Sequence, residues 1–417
     1  MTKQRRGAQF AALTVPNYRL FVAGQGVSLV GSWTETIAQA VLILQLTHSP
    51  VLLGTAAALR YLPVLVLAPY GGVLVDRHER RRVLMTTQTL LGTTSLAFGA
   101  VVLAGAASVA AIFATAVVFG ILTAVDNPAR MALIPELVDR TALRSAVTLN
   151  SILANVGRGL GPVVAAALIG TIGVGWCFIV NGISFGAVIL CLAMMRTSAI
   201  RSEGRVERER GQLKVGLRVA RADPQILGPL LMMAIVGTLT YEFEVSLPVL
   251  AEQTLHGGPS GYAMLTTGFG IGAVLAGVLL LCRPQTGLAR MVGVSVAYGV
   301  ALTLVALSPN ERFAETTIVL VGACSIAFLT TGNATVQLAA PPGMRGRVTA
   351  LWTTAFVGST PLGALIVGAL ADELGGRATL FLGAAATIAA AICGAVVLRR
   401  GSETRRSDRP NQQQSSA

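Results

Sequence analysis

Charge is what this sequence has least of. Only 12% of its 417 residues are Asp, Glu, Lys or Arg, against roughly 25% in an ordinary soluble chain. So few charges cannot coat a surface wetted all round, which excludes a soluble enzyme or binding domain of this length. Aromatic residues are also sparse, at 5%, and argue against a large β-sandwich core. The three histidines (His48, His78, His256) fall in expected loops, and the five cysteines (Cys177, Cys191, Cys282, Cys324, Cys393) lie in apolar stretches without CxxC spacing. No metal site, disulfide framework or cofactor is therefore expected. Nor does any nucleophile stand beside a base, so acid/base or covalent catalysis has no visible machinery.

What is abundant is apolar residue and glycine. Hydrophobic residues make up 53% of the chain and glycine contributes 46 positions, with a mean hydropathy of +0.69. Membrane helices use glycine to bring backbones close together. At about 20 apolar residues per crossing, spans are expected near 18–45, 51–75, 83–105, 108–127, 146–172, 174–195, 226–251, 260–282, 289–307, 314–338, 347–371 and 378–398. The fold class is thus an all-α polytopic membrane protein with twelve transmembrane helices, multi-pass in the cell (inner or plasma) membrane. The lysine-poor, alanine-rich composition suggests a GC-rich bacterial source.

Net charge is +13, which on its own would suit a nucleic-acid binder. Distribution decides otherwise. With the N-terminus in the cytoplasm, 28 of the 32 basic residues fall in tails, inner loops and the inner ends of spans (Arg19, Arg290 and Arg347), two (Arg312, Arg377) in outer loops and two (Arg60, Arg158) deep inside spans. The positive-inside bias thus puts both termini in the cytoplasm, and the bilayer rather than nucleic acid is the partner. The first apolar stretch is too long for a signal-peptide core and lacks a cleavage site, so it should stay as an anchor.

A charged segment of both signs, RTSAIRSEGRVERERGQLKVGLRVARAD at 196–223, interrupts the apolar pattern at mid-chain. Around it Pro16 and Pro224, Gly72 and Gly277, and Pro162 and Pro361 recur at offsets of 208, 205 and 199 residues. The organisation expected is a tail (1–15), a six-helix half (16–196), a cytoplasmic linker (197–223), a second pseudo-symmetric six-helix half (224–399) and a tail (400–417). Parallel halves with a substrate path near the bilayer midplane are an architecture of secondary transporters. The tails are too short and polar to form an output domain.

After the second span the loop reads GVLVDRHERRRVL, and Gly72, Leu74, Asp76, Arg77, Arg80, Arg81 and Leu84 match the Gly-x-Leu-x-Asp-Arg-x-Gly-Arg-Arg signature of the major facilitator superfamily. Glu79 replaces the signature's second glycine, and GVLLLCRPQTGLAR from Gly277 resembles a second copy without the acid. GQGVSLVGSW (24–33), DNPARMALIPELV (126–138), QLAAPPGMRGRVTALW (337–352) and STPLGALIVGALAD (359–372) resemble the bacterial drug/proton antiporter-like branch with macrolide efflux proteins and the enterobactin exporter. In this family Asp76 caps the N-terminus of the eleventh span, here near Arg347, where free N–H groups and the helix dipole favour an anion. The resemblance implies a cytoplasmic latch of Gly72, Asp76, Arg77, Arg80, Arg81 and Asp126, with Arg77 orienting Asp76 or pairing with Asp126. The arginines also satisfy the positive-inside rule without any latch.

Within the fifth span, GRGLGPVVAA (157–166) resembles the antiporter signature through Gly157, Gly161 and Pro162, with Ala165 and Ala166 in place of its final glycine pair. One helical turn apart, the glycines allow close backbone contact and Pro162 bends the helix; simple packing uses the same features.

Ionisable residues at bilayer depth cost roughly 2.5–3.5 kcal/mol on insertion scales and are functional candidates. Glu35 and Arg60 lie 13 and 12 residues from His48 in the first external hairpin, so both sit roughly 18–20 Å below it. A pair there would hold Glu35 ionised until a proton or cationic cargo competes; a static salt bridge is the alternative. Arg158 lies near mid-depth in the fifth span and is able to hold an anionic group. Glu242 and Glu244 point about 200° apart on a regular helix, so at most one faces a cavity. Trp33, two residues from Glu35, is a candidate for an amphipathic cargo pocket, with packing as the alternative.

Together these features predict a monomeric, proton-coupled efflux transporter of a small amphipathic molecule, drug or siderophore, working by alternating access. A proton symporter or facilitated importer of a small metabolite or lipid is the alternative. Asp76→Asn is expected to slow turnover roughly tenfold, the size of a typical conformational coupling, while cargo affinity stays within about twofold. Equal losses of rate and affinity would contradict the latch.

Overall fold

A computed structural model of the chain describes residues 11–199, 212–282, 286–341 and 344–407. The outer parts of both expected tails, the middle of the linker and three residues of the second signature copy lie outside the described residues. Every regular element among the described residues is helical. The helices are α1 (Pro16–Thr47), α2 (Pro50–Arg77), α3 (Arg80–Leu103), α4 (Val109–Leu137), α5 (Arg140–Thr171), α6 (Gly175–Ala193), α7 (Gln212–Ala222), α8 (Pro224–Leu239), α9 (Phe243–Val249), α10 (Gly258–Cys282), α11 (Leu288–Ala306), α12 (Glu311–Ala339), α13 (Arg345–Val357) and α14 (Thr360–Ser407). The linker therefore closes with a short helix, α7.

Boundaries follow local chemistry. Proline starts α1, α2 and α8, where its missing N–H is one of the helix's free donors in any case. Side chains cap three N-termini, that of α8 among them: Ser108 accepts from Ala111 N (3.2 Å), Asp223 from Gln225 N (2.8 Å) and Asn310 from Phe313 N (3.0 Å). The expected eleventh span breaks at Gly358–Ser359, because Pro361 has no N–H to continue a helix and crowds the preceding turn. The chain beyond it runs into the expected twelfth span through Gly375, whose φ of 79° suits glycine alone.

Among the described residues, nine helical stretches are long and apolar enough to cross a membrane, the longest running from Arg347 to Arg400 across that kink. The expected third and fifth spans are helical as α3 and α5, with 24 and 32 residues. α3 does not join the nine, because it carries a run of threonines with Gln88 and Ser95, while in α5 the stretch Val156–Thr171 is an apolar helix.

Contacts divide the chain into two compact units, one of Met1–Val206 with Leu247–Gly270 and one of Glu207–Ser246 with Ile271–Ala417. In the first, α1 packs on α5 and α6, α2 on α4, and α3 on α4 and α6. In the second, α14 packs on α8 and α11, and α11 on α12.

Small residues set the closest approaches in the first unit. A Cβ on Gly157 would stand 2.9 Å from Leu29 Cβ, and one on Gly161 would strike Trp33 Cβ and come within 3.0 Å of Val30 O. Thr34 Oγ1 donates to Gly161 O at 3.1 Å across the same contact. The expected glycine face of the fifth span is thus the seam between α5 and α1. At the opposite edge, Tyr18 OH donates to Ala146 O (2.7 Å) and Asn17 Nδ2 to Arg196 O (2.9 Å). These bonds fasten the start of α1 to α5 and to the segment after α6.

Gly161→Val should lower the thermal midpoint of detergent-solubilised protein, since overpacking a tight contact costs about 1–3 kcal/mol. Gly159→Ala should be neutral or slightly stabilising, because nothing lies within 4 Å of its added methyl and alanine is the better helix former by about 1 kcal/mol. Thermal melts of the two variants side by side test the seam.

Candidate functional site

Among the described residues, Glu35 is the most buried acid of the first unit, with 2% of its surface exposed. Its Oε2 accepts hydrogen bonds from Ser95 Oγ on α3 and from Asn181 Nδ2 on α6. Both donors are fully buried. Asn181 is oriented in turn by Ser184, whose Oγ lies 2.7 Å from the Asn181 backbone carbonyl and 3.1 Å from its Oδ1.

Arg60, at the same depth, does not pair with Glu35 as expected. Its Nη1 donates to Gln39 Oε1 at 3.4 Å and its guanidinium lies 5.4 Å from the centre of the Phe119 ring. Depth along two helices fixes how far down two side chains sit and leaves open the direction each one faces. Arg60 still acts on Glu35 through its field. Ser95 and Asn181 escape a search for charges because both are neutral. The one signal they leave is polarity inside otherwise apolar stretches.

Arg158 on α5 meets aromatic faces. Its guanidinium carbon lies 5.0 Å from the ring centre of Trp33 on α1 and 6.0 Å from that of Phe269 on α10. Such stacking is worth about 0.5–2 kcal/mol, more where water is excluded. Trp33 therefore belongs to a cation–aromatic cluster, and Phe269 is a member that the sequence reading missed.

At the signature loop, Asp76 and Arg77 are exposed. Arg80 pairs with Glu136 at the end of α4, with side chains 18% and 8% exposed. Arg81 donates through Nε to Leu192 O (2.7 Å) and through Nη2 to Ala193 O (3.2 Å), where the C-terminal carbonyls of α6 favour a cation. Asp126 does not pair with Arg77. It is buried and accepts from Thr87 Oγ1 (2.7 Å) and Gln88 Nε2 (2.9 Å) on α3. The expected span ended at position 127, whereas α4 continues to Leu137 and so draws Asp126 into the helix packing. One turn on, Arg130 donates to Asn127 Oδ1 (2.6 Å) and Gln25 Oε1 (3.3 Å). This second polar network fastens α1 and α4 together.

In the second unit the expected seventh span is not continuous. α8 ends at Leu239 and α9 begins at Phe243, so Glu242 lies in the break and the helical angle between Glu242 and Glu244 does not apply. Glu242 is 3% exposed and Glu244 half-buried. Val245 N and Ser246 N both donate to Glu242 O at 3.0 Å, while Glu242 Oε1 has no hydrogen-bond partner and lies 2.8 Å from where a Cβ on Gly363 would stand. Thr240 Oγ1 donates to Gly383 O (3.1 Å) and Tyr241 OH to Ser325 O (2.9 Å), holding the broken segment in place.

Removing one partner of a buried pair strands the other, at about 3–5 kcal/mol when both are fully buried. Arg80→Ala should therefore lower the thermal midpoint more than the Arg80→Gln, Glu136→Gln double variant does. A larger drop in the double variant would show that the pair is incidental.

The sequence matches the transmembrane secretion effector family over residues 7–415. A staphyloferrin A transporter of Staphylococcus aureus is 26% identical over 368 residues, covering 86% of this chain and 90% of that protein. An enterobactin exporter of Shigella boydii is 26% identical over 362 residues, covering 86% of each. Among solved structures, a D323A mutant of the nucleoside transporter NupG superposes with a TM-score of 0.74 at 11% identity, over 92% of this chain and 99% of that one. A bacterial homologue of the human lysosomal transporter Spinster gives 0.71 at 17% identity, over 92% and 96%. These likenesses agree with the helical architecture and the signature loop; the chain belongs to the transmembrane secretion effectors of the major facilitator superfamily, as a multi-pass membrane transporter and not an enzyme.

Proposed function

We propose that this protein is a proton-coupled exporter of a small amphipathic molecule of the siderophore class, built as twelve spans in two six-helix halves with both termini in the cytoplasm. The observation that carries the coupling is Glu35: a carboxyl 2% exposed, held by two neutral donors and not locked to an arginine. A buried acid without a fixed counter-charge is one that a proton is able to neutralise and that water, on entry, is able to ionise again. One charge crossing 100 mV supplies about 2.3 kcal/mol, enough to bias a cargo gradient by roughly fiftyfold.

The direction and cargo class rest on the relatives, one named for enterobactin export and the other for staphyloferrin A. Arg158, stacked on Trp33 and Phe269, supports a cargo that carries anionic oxygens beside an apolar or ring-bearing body. Gly157, Gly161 and Pro162 shape the seam on which Arg158 and Trp33 meet. Asp76 and the loop around it act on the conformational equilibrium that alternating access requires. Glu242 is a candidate for a second titrating position.

Everted membrane vesicles with an acidified interior and a pH-sensitive dye provide the test, with a panel of siderophores and, for comparison, macrolides. Addition of the right cargo should collapse the gradient in wild-type vesicles, and Glu35→Gln vesicles should give no collapse while still binding labelled cargo. Collapse that persists unchanged in Glu35→Gln would remove Glu35 from the coupling. Uptake of labelled cargo into intact cells, in place of extrusion, would reverse the direction.

A further inference from the structure

Around Glu35 there are more acceptors than protons to fill them. Ser95 Oγ carries one hydrogen and has two oxygen neighbours, the Glu35 carboxyl and the Phe178 backbone carbonyl, the latter at 2.8 Å. A carbonyl only accepts, and an ionised carboxylate only accepts. One hydroxyl proton cannot serve both, so the arrangement is complete in two different ways according to the charge on Glu35.

Resting on the reading of Glu35 as the proton carrier, we propose that Ser95 is a positioning residue that turns its single proton between Glu35 and the Phe178 carbonyl as Glu35 loses and gains a proton. With Glu35 ionised, Ser95 donates to the carboxylate, Asn181 Nδ2 donates as well, and Phe178 O keeps its bond within α6. With Glu35 protonated, the new carboxyl O–H donates to Ser95 Oγ and the serine hydroxyl turns to donate to Phe178 O. One proton has been gained from water and lies on Glu35. Ser95 has the same number of hydrogens before and after.

Neither state leaves a donor stranded in a site closed to water, where a stranded polar group costs about 1–3 kcal/mol. Protonation thus reverses the hydrogen bond between α1 and α3 and adds one between α3 and α6, which couples charge on α1 to the packing of two other helices. Of the charged or titratable groups around it, Arg60 on α2 acts on Glu35, and the thiol of Cys177 on α6 is acted on by it. The Arg60 guanidinium lies over Phe119 on α4, and on α5 the charge, Arg158, is stacked on Trp33.

Infrared difference spectroscopy on the full-length, detergent-solubilised protein tests this without any cargo. Spectra between about pH 4 and about pH 10 should contain a protonated-carboxyl band that Glu35→Gln lacks. In Ser95→Ala the carboxylate loses a charge-assisted donor, a stronger bond than the one the neutral carboxyl loses, so the midpoint of that band should move about one pH unit to the alkaline side, a tenfold change in proton affinity. Its frequency should rise because the carboxyl no longer donates to serine. Ser95→Thr, which keeps the hydroxyl, should restore both.

An unchanged midpoint and frequency in Ser95→Ala overturns the relay while leaving Glu35 as the carrier. A threonine variant that behaves like the alanine one overturns the role of the hydroxyl. Absence of any Glu35-dependent band in the wild type overturns the proton-carrier reading itself.

Discussion

A carboxyl buried among helices has to be met by donors, and the first unit is arranged around that requirement at Glu35. Helices satisfy their own backbone, which is why they cross membranes at all, so the polar side chains left inside decide how helices are joined. Glu35 takes a hydroxyl from α3 and an amide from α6, and this one group ties three helices. Glycines on α5 then bring the same helix, α1, close enough for Trp33 and Thr34 to lie against Gly161.

The arginines at similar depth follow a different rule. Arg60 lies over Phe119 and Arg158 over Trp33 and Phe269. A guanidinium is planar and weakly hydrated, so aromatic faces suit it in a way they would not suit an ammonium. Because the cations are placed on rings, the acid is left to neutral donors. In the proposed mechanism that separation leaves Glu35 open to neutralisation by a proton, where a direct ion pair would hold its charge. At the signature loop the opposite holds: Arg80 with Glu136 and Arg81 on the α6 carbonyls are fixed pairings that give a loop rich in charge a defined shape.

Much of this was legible from residues alone, and the limits have physical causes. Helical stretches declare themselves because a bilayer imposes a length of apolar chain, and charges inside such stretches stand out because each is costly. Glu35, Arg60 and Arg158 were found in that way. Their partners were not, since rise per residue gives depth but not direction, and since Ser95, Asn181 and Phe269 carry no charge to mark them. Asp126 was placed at the inner end of the fourth span, in reach of Arg77, because polar DNPAR follows an apolar run, yet α4 continues through Pro128 and Pro135. A proline in a membrane helix removes one bond without ending the helix when neighbours supply the rest.

The same physics explains the segment on which sequence reasoning erred most. Residues 240–242 leave the helix at a depth where free backbone is expensive, and irregular backbone persists there only when protein groups satisfy it. Thr240 and Tyr241 reach carbonyls on α14 and α12, and the Glu242 carbonyl takes two amides from the start of α9. A helix broken in this manner has traded internal bonds for bonds to its neighbours, so its position depends on theirs. Helical periodicity cannot anticipate such a trade, because the donors and acceptors that permit it lie some 80 to 140 residues further along the chain.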